Sequence, residues 1–195
     1  MDDDPAGLEW IDRAVDRNSG AELAALKAHA ERAGDETLFS FEDTVHIEGA
    51  AEDAYAFVDE ARLWDRRLPH VSAVQLTEDT PGLQRLRMDT VAKDGSTHTT
   101  ESFRVCFPHD RIVYKQVTLP ALMTVHTGYW TFLPAADGRV AATSQHTVVL
   151  NTANIAAVLG PRATVADARA YVRDALGANS RATLGHAKDH AESRR

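Results

Sequence analysis

The chain has one cysteine among its 195 residues, Cys106. A single thiol excludes an intrachain disulfide and a cysteine-based zinc site, and it suits a reducing compartment. Long apolar runs are missing as well; none approaches the roughly 20 residues of a membrane span. The opening "MDDDPAG" is the reverse of a signal peptide's basic start. The expected location is therefore the cytoplasm, with no membrane partner. Lys and Arg number 21 against 29 Asp and Glu, a net charge of −8, which argues against a general nucleic-acid binder. GxSxG, P-loop, GxGxxG and HExxH patterns are all absent. Nucleophilic-serine, nucleotide-dependent and zinc-peptidase chemistries thus lack their usual sequence support.

What is present is enough apolar material, 44% of residues, to bury one sizeable core with an appendage. Residues 5–32 carry helical spacing through Leu8, Ile11, Ala14, Val15 and Asn18, and "ERAGDET" breaks it. "LFSFEDTVHIEG" alternates Phe39, Phe41, Val45 and Ile47 on one face, as a half-buried strand does. "AAEDAYAFVDEARLWDRRLPH" reads as one or two short helices stopped near Pro69. Strands are predicted near 71–78, 83–92, 96–107, 111–118, 122–133 and 139–150, with turns at "DTPG", "AKDGS", "FPHD", "LPA" and "PAADGR". Connections this short imply consecutive antiparallel pairing. "LGPR" then breaks the chain before a final helix over about 164–192. The fold class is α+β, a curved antiparallel sheet of about seven strands wrapped around the last helix, with a cavity between them.

Polar residues facing that cavity should report its chemistry. Strand 96–107 has two faces: His98, Thr100, Ser102, Arg104 and Cys106, or Thr97, Thr99, Glu101, Phe103, Val105 and Phe107. Hydropathy alone turns the phenylalanines inward and leaves Arg104 in water. The alternative points Arg104 into the cavity, where a charge that costs several kcal/mol to bury would be kept for an anionic or enolate-like ligand. In that case Phe103, Val105 and Phe107 form an outward apolar row for a partner surface. Strand 122–133 sets His126, Gly128, Trp130 and Phe132 together, with Gly128 leaving room for a flat ligand. His186 and His190 have the i, i+4 spacing of a metal pair, but no third ligand evidently converges on them and a solvated helix end is expected. Arg62, Arg66 and Arg67 make a local basic cluster, either a solvated helix face or a dock for an acidic partner.

In element order, residues 36–192 resemble the polyketide aromatase/cyclases of the START-like helix-grip class. The resemblance rests on "FVDEARLWDRRLPHV", "DGSTHTTESFRV", "HTGYWTF" and "GANS". "CFPHDRIVYKQ" and "NSRATL" are similar to the C-terminal half of two-domain cyclases from bacterial type II pathways. The resemblance implies a function: folding a poly-β-ketone carried on an acyl carrier protein, closing its first ring by aldol chemistry, and dehydrating it to an aromatic ring. It implies no metal and no cofactor. Carried over, Arg104 is the anchoring and polarising arginine and Ser102 its neighbouring hydroxyl. Trp64, Met88 and Trp130 line the pocket, Gln145 is a polar cavity residue, and Asn179 looks in from the closing helix. Val71 and Thr100 depart from a tyrosine and a tryptophan of single-domain relatives, which implies a differently shaped pocket with fewer proton donors and acceptors. For proton transfer, His126 or His146 is in reach, and His126, sharing strand parity with Trp130, is preferred. His146 and Gln145 have opposite parity, so at most one of them faces the ligand.

The two ends of the chain resemble each other. "AVDRNSGAELAALKAHAE" at 14–31 and "ALGANSRATLGHAKDHAE" at 175–192 match without gaps at nine of eighteen positions, including Asn18/Asn179, Ser19/Ser180 and Lys27/Lys188. Residues 1–34 are accordingly expected to be the closing helix of a preceding homologous domain, or a linker from it. Such a helix should pack on a neighbouring surface, in that domain or a second copy, rather than enter the cavity. Residues 35–195 form the helix-grip domain.

Overall fold

The computed structural model describes residues 5–30, 35–91 and 95–195. Alternating side chains and tight turns produce seven strands: β1 (Leu38–Ile47), β2 (Val71–Thr80), β3 (Leu83–Val91), β4 (Thr97–Phe107), β5 (Arg111–Thr118), β6 (Met123–Pro134) and β7 (Val140–Leu150). They form one sheet in the order β1-β7-β6-β5-β4-β3-β2, with every neighbouring pair antiparallel. Each hairpin from β2 to β7 therefore joins strands adjacent in space, and only β1 pairs out of sequence, with β7. Gly82, at φ 79°, supports the β2–β3 turn in a conformation that a side chain would strain. Three residues of the expected "AKDGS" turn, 92–94, lie outside the described residues.

Helix α1 (Pro5–Ala30) precedes the sheet, and α2 (Ala51–Asp59), a 3₁₀ turn (Ala61–Leu63) and α3 (Trp64–Arg67) link β1 to β2. After β7 come a second 3₁₀ turn (Thr152–Asn154) and α4 (Ile155–Leu159), then α5 (Val165–Glu192). The sequence reading assigns only a break to this stretch, because a five-residue helix shows too little periodicity to register. A capping box starts α5: Thr164 Oγ1 accepts from the Asp167 backbone N–H, while Asp167 accepts from that of Thr164. Ala168, Val172, Leu184 and Ala187 form its buried stripe. Two apolar clusters hold the sheet to its helices. One joins Ile47, Phe57, Val58, Ile112, Phe132 and Leu184; the other joins Phe39, Met123, Val148, Ile155 and Val172. Each such side chain contributes about 1.5–3 kcal/mol on burial.

In α1 the described apolar side chains Trp10, Val15 and Leu23 are exposed. The side chains of Leu8, Ile11 and Asn18, on which the predicted face depends, lie outside the described residues. Among the described residues, no side chain of α1 lines the cavity under α5.

Candidate active site

Between the concave sheet and α5 lies a cavity of about 780 Å³, counting its open mouth. Its floor comes from alternate positions of β3 to β7, and α3 and α5 close it. Trp64, Met88, Thr100, Ser102, Arg104, His126, Trp130 and Asn179 all line it. On β4 the hydropathy reading fails and the inverted one holds. Arg104 is 4% exposed, whereas Phe103 is 52% exposed, with Val105 and Phe107 beside it on the outer face. The cavity explains the reversal, since its wall is partly polar and the apolar set of this strand is left to the outside. Val71 and Thr100 are both lining positions.

Arg104 sits over the Trp64 ring at 5.5 Å, and its Nη2 donates to Val58 O at 2.7 Å. Its Nη1 is buried with no partner. Burial works against the charged form, while Cys106, Asp59, Tyr55 and Glu78 nearby favour it; a guanidinium stays protonated in such surroundings. The same burial, with Asp59 adding to it, raises the Tyr55 phenol. Burial also pushes the Cys106 thiol up to about 12 although Arg104 acts to lower it, so Cys106 is an inert wall residue.

Away from Arg104, polar atoms form a continuous chain. His126 Nδ1 lies 2.9 Å from Gln116 Oε1, and His126 Nε2 lies 2.9 Å from His146 Nδ1. His146 Nε2 lies 2.6 Å from Ser180 Oγ, whose hydroxyl donates to Leu176 O at 2.9 Å. Tyr114 Oη touches both imidazoles, 3.3 Å from His126 and 2.9 Å from His146. Burial, and then the neighbouring His146, bring His126 down to about 3. Burial brings His146 down to about 4, against the pull of Asp43 and with the push of Arg173. Both imidazoles are therefore neutral at pH 7.

Several expectations need correction. Gln145 faces the outer side of the sheet, where its Nε2 donates to Thr147 Oγ1 and His146 O; strand parity makes His146 the inward residue of that pair. The gap at Gly128 is filled from within. A Cβ there would lie 2.1 Å from the Gln145 backbone O and 2.6 Å from Tyr114 Oη, so the glycine makes room for the neighbouring strand and Tyr114 and not for a ligand. Arg67 is turned inward, bonded to Glu60 at 2.8 Å and lying over Phe57, which leaves Arg62 and Arg66 as the exposed arginines of that cluster. His186 and His190 are half-buried rather than solvated, with His190 against the Phe57 ring. Tyr114, Gln116 and Ser180 line the site although the sequence reading did not assign them to it, and His146, which it ranked behind His126, lines it as well. They come from three separate elements, and the one available signal was parity with buried neighbours such as Ile112.

A seven-stranded antiparallel sheet closed by a long helix over an internal cavity defines a helix-grip protein. The chain belongs to the polyketide cyclase / dehydrase and lipid transport family, whose pattern matches residues 39–192. It is 50% identical over 194 residues, 98% of its length, to the granaticin polyketide synthase bifunctional cyclase/dehydratase of Streptomyces violaceoruber. The actinorhodin counterpart of Streptomyces coelicolor is 48% identical over 94% of the chain. In both comparisons the chain spans 60% of the relative's length. Among solved structures, the di-domain ARO/CYC BexL from the BE-7585A biosynthetic pathway is 67% identical with a TM-score of 0.87. That match covers 99% of this chain and 63% of BexL. The di-domain ARO/CYC StfQ from the steffimycin pathway is 41% identical with a TM-score of 0.88, covering 93% and 61%.

Proposed function

We propose that the chain is an aromatase/cyclase module that folds a carrier-bound poly-β-ketone in its cavity, closes the first ring and dehydrates it. The observation that carries this reading is the buried guanidinium of Arg104, whose Nη1 has no partner, beside Ser102 and Trp64 in the cavity wall. Aldol closure moves negative charge onto a carbonyl oxygen as the new C–C bond forms. An N–H fixed by Val58 and Trp64, in a site that water scarcely reaches, stabilises that oxygen by about 3 kcal/mol or more. Ser102 supplies a hydroxyl as a second donor beside it, and Trp64, Met88 and Trp130 give the chain apolar surfaces to fold against. Asn179 reaches in from α5. Dehydration then needs a base for the carbon acid and an acid for the departing hydroxyl, a role assigned to His126. Cavity shape adds to this by holding the reacting carbons near each other.

The acyl carrier protein is the proposed source of substrate, and exposed Arg62 and Arg66 the proposed acidic-partner dock. Helix α1, with its likeness to α5, is read as the closing helix of a preceding homologous domain. Replacing Arg104 with Ala in a reconstituted synthase should abolish the native aromatic product. An unchanged product spectrum would reject the catalytic reading in favour of a module that only binds polyketide or lipid.

A further inference from the structure

Arg104 is a buried cation without an anion in contact. Among the described residues no carboxylate pairs with it; Nη2 donates to Val58 O and Nη1 has no partner. Two carboxylates nonetheless stand close by, Asp59 at the end of α2 and Glu78 on β2, and both favour the charged guanidinium through space. What lies between is Gln84. It is 2% exposed and is the direct cross-strand partner of Arg104 on β3, while Glu78 falls in the bulge opposite it on β2. Glu78 and Arg104 are thus two strand spacings apart, roughly 10 Å of backbone.

The amide nitrogen of Gln84 is given over to the carboxylate side. Its Nε2 lies 3.2 Å from Asp59 Oδ1, 3.1 Å from Glu78 Oε2 and 3.4 Å from Asp59 O. All three are acceptors, so nitrogen and not oxygen faces them. Gln84 Oε1 and Arg104 Nη1 are both buried without a partner, so the two side chains do not hydrogen-bond each other although they share a ladder position. Leaving both open is costly, which points away from an amide kept for packing alone.

We infer that Gln84 is a positioning residue whose amide N–H groups hold Asp59 and Glu78 off the guanidinium, so that the two anions balance the buried charge at one residue's remove and the Nη1 donor stays open to a ligand oxygen. This rests on the aromatase/cyclase reading, in which that donor meets the substrate carbonyl. Asp59 is the carboxylate that Gln84 chiefly restrains. It follows Val58, whose carbonyl Arg104 already holds, whereas Glu78 is anchored a second time by the Gly82 N–H on Oε1 at 2.8 Å. Without the Gln84 amide, Asp59 turns to the nearest unpaired donor, Arg104 Nη1, and takes the place of the ligand.

Calorimetric titration of the full chain with para-nitrophenolate, in buffer alkaline enough to ionise it, and with its uncharged ether para-nitroanisole separates positioning from packing. Gln84→Leu should lower phenolate affinity about tenfold or more and leave ether binding unchanged. Adding Asp59→Asn to that variant should restore most of the loss. Gln84→Met gives a second apolar replacement, of nearly the same length, should the leucine variant not fold. Unchanged phenolate affinity, an equal loss for both ligands, or a loss that Asp59→Asn does not restore would each overturn the inference. Should these results hold while Arg104→Ala leaves the products of a reconstituted synthase unchanged, the aromatase/cyclase reading fails and the role of Gln84 stands.

Discussion

The cavity has two polar regions built on opposite plans. Around Arg104 the charge is permanent and one N–H is left without a partner. Around His126 and His146 there is no net charge at neutral pH, and each ring nitrogen lies within hydrogen-bond distance of a neighbour. An unsatisfied buried donor costs about 1–3 kcal/mol, so the Arg104 region costs the fold something, and in the proposed reading a ligand oxygen completes it. The histidine region is complete without one, and it ties the sheet to α5 through Ser180. In the proposed function the first region binds developing charge and the second handles protons.

The comparison breaks most readily at Arg104. Arg104→Met keeps much of the volume and should cut product formation about 10²- to 10³-fold. Thermal unfolding of the same variant should show no loss of stability, because an incompletely paired buried charge is replaced by an apolar side chain. The histidine region should answer in the opposite sense on stability. His146→Leu strands the Ser180 and His126 partners and should cost about 1–3 kcal/mol in a denaturant titration. Gly128→Ala drives a methyl into the Gln145 backbone oxygen as well as Tyr114 and should cost about 3 kcal/mol or more, while loosening the contact of Tyr114 with both histidines.

A pH series sharpens the contrast further. Both histidines titrate below 6.5 in the folded chain, at about 3 and about 4. Between pH 6.5 and 4 the unfolded chain therefore binds protons that the folded chain does not. Their contribution to stability is complete above pH 6.5 and is lost as pH falls through that window, by up to about 1.4 kcal/mol per pH unit for each. Leu at both positions should flatten the profile, and Arg104→Met should leave it alone. The smallest effect belongs to the rim: Arg62→Glu with Arg66→Glu should weaken carrier-protein binding several-fold at low salt, with the difference fading at high salt.

Much of this was legible in the sequence because strands with period-2 patterns and turns with Gly, Pro or Asp leave local marks. The predicted strand limits fall within about two residues of those found. Orientation was harder to read. On β4 the apolar rule fails, since a polar cavity wall inverts it, and only the resemblance of "ESFRV" to a known strand turned Arg104 inward. The same resemblance misdirected Gln145, although its parity opposite to His146 already allowed only one of the two to face in. Tyr114, Gln116 and Ser180 lie on β5 and α5, so the network they form depends on strand register and helix placement. No local spacing encodes either of these.

The central claim is that the free N–H of Arg104 awaits a negatively charged oxygen. Calorimetric titration with a non-reactive aromatic phenolate, and with its uncharged methyl ether, measures this directly in the wild-type chain and in Arg104→Met. The account predicts that the phenolate binds the wild type at least tenfold more tightly than the variant, while the ether binds both equally. Equal loss for both ligands, or no loss for the phenolate, would contradict it.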